Sequence, residues 1–423
     1  MQDQPQPPPP PAPDLFTWEF ATNPYPAYAW LREHAPVHRT ELPSGVEAWL
    51  VTRYADARQA LADQRLSKNP AHHDEPAHAK GKTGIPGERK AELMTHLLNI
   101  DPPDHTRLRR LVSKAFTPRR VAEFAPRVQE LTDQLIDAFL DKPEERGTAD
   151  LIHEFAFPLP IYAICDLLGV PREDQDDFRD WAGMMIRHGG GPRGGVARSV
   201  KKMRGYLAEL IHRKRSDPGD DLISGLIRAS DHGEHLTENE AAAMAFILLF
   251  AGFETTVNLI GNGTYALLTH PEQRERLQRS LAAGDTGLLE TGVEELLRFD
   301  GPVELATWRF ATEPLRIGGQ DIAAGDPVLV VLAAADRDPA RFPDPDLLDL
   351  SRSDNQHLGY GHGIHYCLGA PLARLEGQTA LATLLRRLPD LQLAVDPAEL
   401  RWRGGLIMRG LRTLPVTFTP PAR

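Results

Sequence analysis

The chain has 423 residues, of which 41% are hydrophobic and 25% are charged, as is usual for a globular protein. Its 59 acidic and 48 basic side chains give a net charge of −11, which argues against a protein that binds nucleic acid over its whole surface. The two cysteines exclude a disulfide framework and favour a reducing compartment, so we expect a cytoplasmic protein.

The chain begins with a proline-rich stretch, MQDQPQPPPPPAP, which has neither the basic region nor the apolar core of a signal peptide. We expect residues 1–13 to form a disordered tail, and residues 14–423, which contain no low-complexity linker, to form one large domain. Helical patterns dominate and strand-like runs are few, near Trp49 and Val330, so the predicted fold is mainly α with a minor β part. The apolar run from Ala241 has roughly 13 residues, fewer than the roughly 18 of a membrane span, and predicts no membrane segment.

Two stretches are typical of long loops, residues 68–92 and residues 187–195. Loops of this length are either lids and binding loops or disordered segments, and the sequence leaves both open. Three histidines of the first stretch, His72, His73 and His78, could hold a metal ion, but a solvated loop is the favoured interpretation.

The segment DPPDHTRLRR predicts a helix that begins after Pro103 and places His105 and Arg109 on one face. Two such side chains can bind a carboxylate together. Taken alone, each of these side chains is more typical of an ordinary surface charge. A basic cluster lies on this helix and just beyond it: Arg107, Arg110, Lys114, Arg119 and Arg120.

The longest helical pattern contains AGFETT, residues 251–256. A carboxylate such as Glu254 inside an apolar stretch must be paired, solvated or functional. Thr255 and Thr256 can donate to the carbonyl groups four residues earlier and open the helix locally. The segment could therefore form a notch that holds water or a small ligand beside a proton donor. The alternative is an exposed helix turn.

Two charged motifs follow along the chain. Glu295 and Arg298 in EELLR lie three residues apart and can form an ion pair, which is common and weak when exposed. Arg309 in ATWRFA lies on an extended segment and could bind a carboxylate.

One of the two cysteines lies in YGHGIHYCLGAPLARLE. Its glycines predict a loop, and the leucines after Cys367 predict a helix that ends before Pro389. Cys367 would then lie at a helix N-terminus, which favours a thiolate, with room for a large flat group beside the sulfur. A buried, inert cysteine is the alternative. A zinc site lacks further ligands, since Cys165 lies in an apolar helical run, whereas a single thiolate suits the iron of a haem.

Together, these motifs and their order resemble the cytochrome P450 family. The most specific motif is YGHGIHYCLGAPLAR, while AGFETTVNLIGNG and GPVELATWRFATEP resemble the soluble actinobacterial members that hydroxylate macrolides and other bulky natural products. The resemblance covers the chain from about Asp14. It implies the cytochrome P450 fold, with haem b between the long central helix and the helix that follows the cysteine loop.

The resemblance implies roles for the haem-binding residues. Cys367 would be the thiolate ligand of the iron. Four cationic side chains would bind the haem propionates: His105, Arg109, Arg309 and His365.

It also implies the residues around the substrate. Glu254 and Thr255 would deliver protons on the distal side of the haem, where Ala251 and Gly252 leave room for dioxygen. Glu295 and Arg298 would be a buried structural pair behind the cysteine loop. Substrate contacts would come from residues 82–98 and 184–196, from Thr307, and from eight side chains: Leu98, Ile247, Phe250, Ala251, Leu305, Ala306, Ile407 and Met408.

The implied function is a monooxygenase that hydroxylates or epoxidises a bulky hydrophobic natural product such as a macrolide or polyketide. Since the chain has no flavin-binding or nucleotide-binding motif, electrons would come from NAD(P)H through a ferredoxin reductase and a ferredoxin, which could dock on the basic cluster. We expect a monomer. The alternatives are a steroid-like or xenobiotic hydroxylase, an enzyme that uses peroxide or rearranges its substrate, and a haem sensor without turnover.

Three residues depart from the family pattern. Tyr360 replaces the usual phenylalanine, so its hydroxyl needs a partner. Phe253 replaces a residue that is often histidine in this group, which changes the packing behind the catalytic turn. Leu347 stands where an arginine commonly joins the glutamate–arginine pair, and Arg352 could take that place.

Overall fold

The structure is a computed structural model of the chain, and it describes residues 11–72, 96–142, 147–186, 195–231 and 233–420. About 56% is helical and the sheet part is minor, which confirms the predicted fold class. Most of the predicted tail lies outside the described residues, as do His73, His78 and much of both predicted loops.

Helices form the bulk of the described residues. A π-helical turn, Ile152–Ala156, leads into α7, and short 3₁₀ turns lie at Pro70–His72, Arg172–Asp174, Gly363–His365 and Pro397–Glu399. The α-helices are α1 (Trp18–Thr22), α2 (Tyr25–His34), α3 (Tyr54–Ala62), α4 (Asp104–Ala115), α5 (Pro118–Glu123), α6 (Ala125–Leu140), α7 (Pro158–Leu168), α8 (Gln175–Ile186), α9 (Gly195–Ser216), α10 (Leu222–Arg228), α11 (Glu238–Thr269), α12 (Pro271–Ala282), α13 (Gly287–Asp300), α14 (Leu332–Ala335) and α15 (Ala370–Arg387).

The strands are short and lie mainly at one side of the helices. The largest sheet has the order β1-β2-β10-β7-β3, and a second sheet has the order β11-β12-β4. Two hairpins, β5-β6 and β8-β9, complete the described sheet part. The strands are β1 (Val37–Glu41), β2 (Glu47–Val51), β3 (Leu66–Ser67), β4 (Thr148–Asp150), β5 (Ser230–Asp231), β6 (Glu234–His235), β7 (Arg309–Ala311), β8 (Leu315–Ile317), β9 (Gln320–Ile322), β10 (Pro327–Val330), β11 (Gln392–Leu393) and β12 (Pro415–Thr417).

The central helix is α11. It begins with a capping box, in which the Glu240 N–H donates to Thr237 Oγ1 at 3.2 Å and the Thr237 N–H donates to the Glu240 carboxylate at 2.8 Å. The helix packs against α7, α9, α13 and α15. By length and composition alone it could cross a membrane, but 72% of its most apolar window is buried inside the protein, as in the core helix of a globular domain.

The largest sheet brings three distant segments to one place. In β7, Arg309 lies opposite Val328 of β10, and the next residue, Phe310, lies opposite Ser67 of β3. The residue after β3 is Lys68. The antiparallel register therefore places a lysine from early in the chain beside an arginine that follows it by more than half the chain.

The pair of Glu295 and Arg298 is fully buried, as the resemblance implies. Arg298 donates to Glu295 at 2.7 and 2.8 Å, and Arg352 Nε donates to the same carboxylate at 3.1 and 3.3 Å. Arg352 therefore takes the place of the missing arginine, as the sequence suggested. Leu347 contributes only its carbonyl, which accepts a hydrogen bond from Arg298 Nη2 at 3.2 Å.

We expect the substitution Arg352→Leu to lower the free energy of unfolding by about 2 kcal/mol, because it removes charge-assisted hydrogen bonds from a buried carboxylate. The shift of the urea midpoint of the haem-loaded protein measures this loss. Arg316→Leu is the control, since Arg316 and Asp321 form an exposed pair at 3.7 Å that contributes little. Equal midpoint shifts in the two variants would contradict the prediction.

Candidate active site

The cysteine loop is held in place by its glycines. Gly361 and Gly363 have φ angles of 73° and 75°, in the left-handed region that favours glycine. A Cβ atom on Gly363 would lie 3.1 Å from the Leu61 carbonyl oxygen at the end of α3. The loop returns so that the Cys367 N–H donates to the Tyr360 carbonyl at 2.9 Å, and α15 begins at Ala370. The prediction that Cys367 lies just before a helix N-terminus is confirmed.

The sulfur of Cys367 lies at the N-terminus of α15. The N–H groups of Gly369 and Ala370, together with the positive charges of Arg109 and Arg374, lower the pKa of the thiol. Desolvation by the atoms packed around the sulfur is the larger effect and raises the pKa above its ordinary value, although Cys367 is an exposed residue. A metal ion bound at the sulfur reverses this balance, because a coordinating thiol is deprotonated.

A cluster of histidine and arginine side chains lies beside the cysteine loop. The rings of His105 in α4 and His365 in the loop lie 4.3 Å apart between centroids. Burial, followed by the charges of Lys68, His105 and Arg309, lowers the pKa of His365 to about 2. Burial also lowers the pKa of Arg309 to about 10. The structure therefore brings His105, His365 and Arg309 together.

Arg109, the fourth predicted propionate ligand, lies one turn after His105 on the same helix. Its Nη2 atom donates to the Tyr366 carbonyl at 2.8 Å, so α4 is attached to the cysteine loop. All four predicted cations therefore surround this loop.

Lys68 belongs to the same cluster and was missed by the sequence reasoning. Its side chain is buried, and Nζ donates to Thr307 Oγ1 at 2.5 Å and to the Trp308 carbonyl at 2.6 Å. Its charge also acts on His96, whose pKa falls to about 4 mainly through burial. A lysine in the short run LSKN carries no sequence signal for burial, since only the pairing of β3 with β7 places it there.

These residues fit a haem. Nε2 of His105 is buried and makes no hydrogen bond within the described part of the chain, so it is available to a carboxylate of a bound ligand. Asp101 acts on Arg309 and His105 through its charge, but its own oxygens accept from Ser67 Oγ and the Lys68 N–H. Arginine, lysine and histidine side chains beside a thiol suit a flat ligand that carries two carboxylates and an iron that binds a thiolate.

We expect the substitution Arg309→Met to accelerate haem loss about tenfold, or about 1.4 kcal/mol, because a propionate loses a buried partner. Transfer of haem to apomyoglobin measures the rate. Arg65→Met is the charge-matched control, since Arg65 forms an exposed pair with Asp63. An unchanged rate of transfer in Arg309→Met would remove Arg309 from the haem site.

The AGFETT segment opens one face of α11. Thr255 Oγ1 donates to the Ala251 carbonyl at 2.9 Å, and Thr256 Oγ1 donates to the Gly252 carbonyl at 3.2 Å, as predicted from the sequence. Ala251 is exposed and Thr255 is half-buried, although the neighbouring turns of the helix are buried. Glu254 is buried and faces Arg403, so the alternative of an exposed turn is wrong for Glu254.

The other two departures from the family pattern, Phe253 and Tyr360, lie near this site. Phe253 is fully buried and packs edge-to-face between Phe157 and Phe250, at 6.3 Å from each ring. The hydroxyl of Tyr360 is buried and finds no hydrogen-bond partner among the described residues, so the partner expected for it is not seen. Arg374 lies 4.5 Å from the centre of the Tyr360 ring, which stabilises the ring rather than the hydroxyl.

The predicted substrate contacts lie on four segments. The Ile407 carbonyl accepts from the N–H groups of Glu304 and Leu305 at 2.8 and 3.4 Å, and Met408 pairs with Val303 in an antiparallel bridge. The segment between α13 and β7, which includes Ala306, therefore lies beside Ile407 and Met408.

The other predicted contacts lie on or near α11. Ile247 is buried and Phe250 is half-buried on α11, and the half-buried Leu98 packs against the same hydrophobic cluster. Much of the predicted contact regions, namely residues 82–95 and 187–194, lies outside the described residues.

A second buried acid behind α11 was also missed. Glu376 lies on α15. Among the described residues, neither of its carboxylate oxygens meets the geometric criteria for a hydrogen bond. Burial raises its pKa to about 8, against a smaller opposing effect of Thr256, so it is a neutral acid near pH 7. The motif LARLE looks like an ordinary helical turn and gives no sign of this burial.

Comparisons with known proteins show which family this chain is similar to. The model of the family Cytochrome P450 matches residues 192–397. The chain is 49% identical over 401 residues to the cytochrome P450 monooxygenase PikC of Streptomyces venezuelae, covering 95% of this chain and 92% of PikC. It is 45% identical over 412 residues to the vitamin D(3) 25-hydroxylase of Pseudonocardia autotrophica, covering 96% of each chain. The solved structure of the polyketide synthase cytochrome P450 PksS of Bacillus subtilis has a TM-score of 0.85 at 39% identity, covering 96% of this chain and 99% of that chain.

Proposed function

Because the chain belongs to the cytochrome P450 family and is a monooxygenase that binds haem b, we propose that Cys367 is the thiolate ligand of the haem and that the substrate is a bulky natural product. The observation that carries the first part is the cluster of histidine and arginine side chains beside the cysteine at the start of α15. His105, Arg309 and His365 belong to that cluster, and Arg109 is attached to the same loop.

The haem and the residues have separate tasks. When bound, the haem iron activates dioxygen with two electrons, so that one oxygen atom enters the substrate and the other leaves as water. Cys367 would bind the iron through Sγ, and His105, Arg109, Arg309 and His365 would hold the propionates. Thr255 lies at the opening of α11 and holds a proton at Oγ1, with Glu254 as the neighbouring acid that resupplies it.

The residues that would surround the substrate are mainly apolar. Ile247, Phe250, Leu305, Ile407 and Met408 offer dispersion contacts and few polar ones, which suits a large molecule with scattered oxygen atoms. PksS is a polyketide synthase cytochrome P450 by its description, which favours a polyketide or macrolide. The likeness to a vitamin D(3) 25-hydroxylase favours a steroid-like substrate as the second candidate.

A titration with candidate substrates tests this choice. The haem-loaded protein is mixed with a macrolide core such as 6-deoxyerythronolide B, with vitamin D3 and with myristic acid, and the spin-state shift of the haem spectrum is followed. We expect the macrolide core to give the tightest binding. Tighter binding of vitamin D3 would move the assignment to the steroid-like class, and tighter binding of myristic acid would contradict both.

We propose a ferredoxin, supplied by an NAD(P)H-dependent reductase, as the electron donor, and the cysteine loop as its docking surface. Ile364 and Tyr366 of this loop are 43% and 39% exposed, which is unusual for large hydrophobic residues. Arg109 and Arg374 contact Tyr366 at 2.8 and 3.4 Å, and because Arg374 is paired with Glu294 at 2.7 Å, Arg109 contributes most of the positive charge at the border of the apolar patch. An apolar centre with a basic rim suits an acidic partner protein.

The predicted basic cluster contributes less charge than its five cations suggest. Three of its arginines are paired with acids: Arg107 with Glu240, Arg119 with Glu123 at 2.8 Å, and Arg120 with Asp220 at 2.6 Å. Arg110 and Lys114 have interaction partners as well, and both are exposed on the helix that is attached to the cysteine loop. These two residues extend the basic rim.

We expect the substitution Arg110→Glu to raise the KM for an acidic ferredoxin about fivefold at low salt, with little change at high salt, because screening removes long-range attraction. Steady-state NADPH consumption at varied ferredoxin concentration measures it. Arg279→Glu, on the exposed side of α12, is the matched control. A KM that does not respond to either salt or Arg110→Glu would contradict this docking surface.

The same assay separates the alternative functions. Turnover with hydrogen peroxide and no reductase would favour the peroxide-using or rearranging enzyme. Absence of NADPH consumption with every donor would favour a haem sensor. A cytoplasmic location, beside NAD(P)H and the reductase, is part of the same proposal.

A further inference from the structure

The chain makes a tight turn against the central helix shortly before β12. Trp402 pairs with Leu411 in an antiparallel bridge, and the Arg403 N–H donates to the Gly410 carbonyl at 2.8 Å. Residues 404–409 form the tip between them, and we call residues 402–411 the C-terminal turn. Two of the predicted substrate contacts, Ile407 and Met408, lie on it.

Gly410 presses the C-terminal turn onto α11. A Cβ atom at Gly410 would lie 2.1 Å from Oδ1 of Asn258, so a larger residue would force either the turn or the buried Asn258 side chain to shift. Asn258 is one helical turn beyond Glu254 and shares its face of the helix. Its amide oxygen and nitrogen are buried, and neither has a hydrogen-bond partner in the described ranges. The turn therefore has one well-defined position relative to Glu254.

Arg403 faces Glu254 from the base of this turn. Its Nη1 atom lies 3.8 Å from Oε1 of Glu254, and the two side chains are only 10% and 6% exposed. At 3.8 Å the contact is ionic and not a hydrogen bond. Nη1 of Arg403 makes no hydrogen bond to any residue that the structure describes. Burial lowers the pKa of Arg403, and the charge of Glu254 opposes that shift.

This geometry has two consequences for Glu254. A buried carboxylate is stabilised by a nearby cation, and Arg403 lies close enough to Glu254 to be such a cation. Because the contact is longer than a hydrogen bond, the carboxylate is held near Arg403 but can still turn. Both properties suit a group that passes protons to a neighbouring hydroxyl.

We propose that Arg403 is a positioning residue for Glu254, and that it makes proton delivery at Thr255 depend on the position of the C-terminal turn. The inference rests on the proposed roles of Glu254 and Thr255. It adds a residue from the last part of the chain, which the motif AGFETT does not contain. A substrate that presses on Ile407 or Met408 would shift the same turn that carries Arg403.

The test measures coupling in the haem-loaded full-length protein with NADPH, reductase and ferredoxin. The probe is the compound that gives the largest spin-state shift in the titration above. We expect Arg403→Gln to raise the hydrogen peroxide released per NADPH about threefold and to enlarge the solvent deuterium isotope effect on NADPH consumption. Arg403→Lys keeps the charge and restores most of the coupling. Arg401→Gln is the control, because Arg401 is exposed and lies over the Trp18 ring.

A second background separates this inference from the proposed function. In Glu254→Gln, the further change Arg403→Gln adds no peroxide, since both residues act through one carboxylate. Equal added peroxide in both backgrounds would show that Arg403 acts structurally and would overturn the inference. Normal coupling in Arg403→Gln beside high peroxide in Glu254→Gln would overturn the inference alone. Normal coupling in Glu254→Gln would instead overturn the proposed role of Glu254.

Gly410→Ala keeps the proposal testable if Arg403→Gln does not fold. It forces the C-terminal turn or the Asn258 side chain to shift and leaves the arginine in the chain, so we expect the same rise in peroxide. The carbon monoxide spectrum of the reduced protein and the thermal midpoint report whether each variant is folded. Folded Gly410→Ala with unchanged coupling would contradict the role of the turn.

Discussion

We expect the substitution Cys367→Ser to abolish the strongly red-shifted Soret band that the reduced, carbon monoxide-bound protein shows with a thiolate ligand. The structure places Sγ at the start of α15, where the Gly369 and Ala370 N–H groups meet it and where Arg109 adds positive charge. A serine hydroxyl in that position is a weak ligand and remains protonated. Monooxygenase activity should fall below detection, because the electron donation of the thiolate to the iron is lost.

The second cysteine provides the matched control. Cys165 is fully buried in α7, and burial raises the pKa of its thiol well above the ordinary value. Cys165→Ala should therefore leave the red-shifted band unchanged, whatever it does to stability. A red-shifted band that survives in Cys367→Ser would exclude Cys367 as the ligand. Absence of haem in the unsubstituted protein, after growth with a haem precursor, would contradict the haem site as a whole.

The parts of the fold that the sequence predicts well are those with local signals. The cysteine loop needs glycine at Gly361 and Gly363, and the leucine spacing after Cys367 already predicts α15. The long apolar pattern around Glu254 predicts α11, and its threonine back-bonds follow from spacing alone. Such features depend on neighbours in the chain, which the sequence contains directly.

The parts that it predicts poorly depend on contacts between distant segments. Lys68 and Arg403 each sit in an unremarkable stretch, and both become part of the site only through tertiary packing. Glu376 becomes a neutral acid because α15 buries it behind α11. Burial of a charged side chain opposes its intrinsic preference, so no local pattern announces it.

The basic cluster shows the same limit in the other direction. Its five cations look like a strongly positive surface in the sequence, but the partners of Arg107 and Arg120 come from α11 and from the chain before α10. The exposed apolar pair on the cysteine loop is therefore a better indication of a docking surface than the number of cations. Ile364 and Tyr366 gave no signal as a surface patch, because their exposure depends on how the loop is folded.

We expect the substitution Thr255→Ala to lower the product formed per NADPH about tenfold and to raise hydrogen peroxide release correspondingly. The Thr255 hydroxyl is held at the opening of α11 by its bond to the Ala251 carbonyl at 2.9 Å. Without it, protons reach the distal side in the wrong place or too slowly. Substrate binding, measured by the spin-state shift, should be unchanged, because an alanine leaves the apolar contacts in place. Product and peroxide are measured in the same NADPH-limited reaction.

Thr256→Ala distinguishes proton delivery from a local change of the helix. Thr256 makes the same kind of bond, to the Gly252 carbonyl at 3.2 Å, but its side chain is buried on another face of α11. Both variants remove a threonine back-bond, and only Thr255→Ala removes the hydroxyl at the opening. Thr255→Ser, which restores that hydroxyl, should recover most of the coupling. Equal uncoupling in Thr255→Ala and Thr256→Ala would assign the effect to helix geometry, since the proton donor differs between them while the lost back-bond does not.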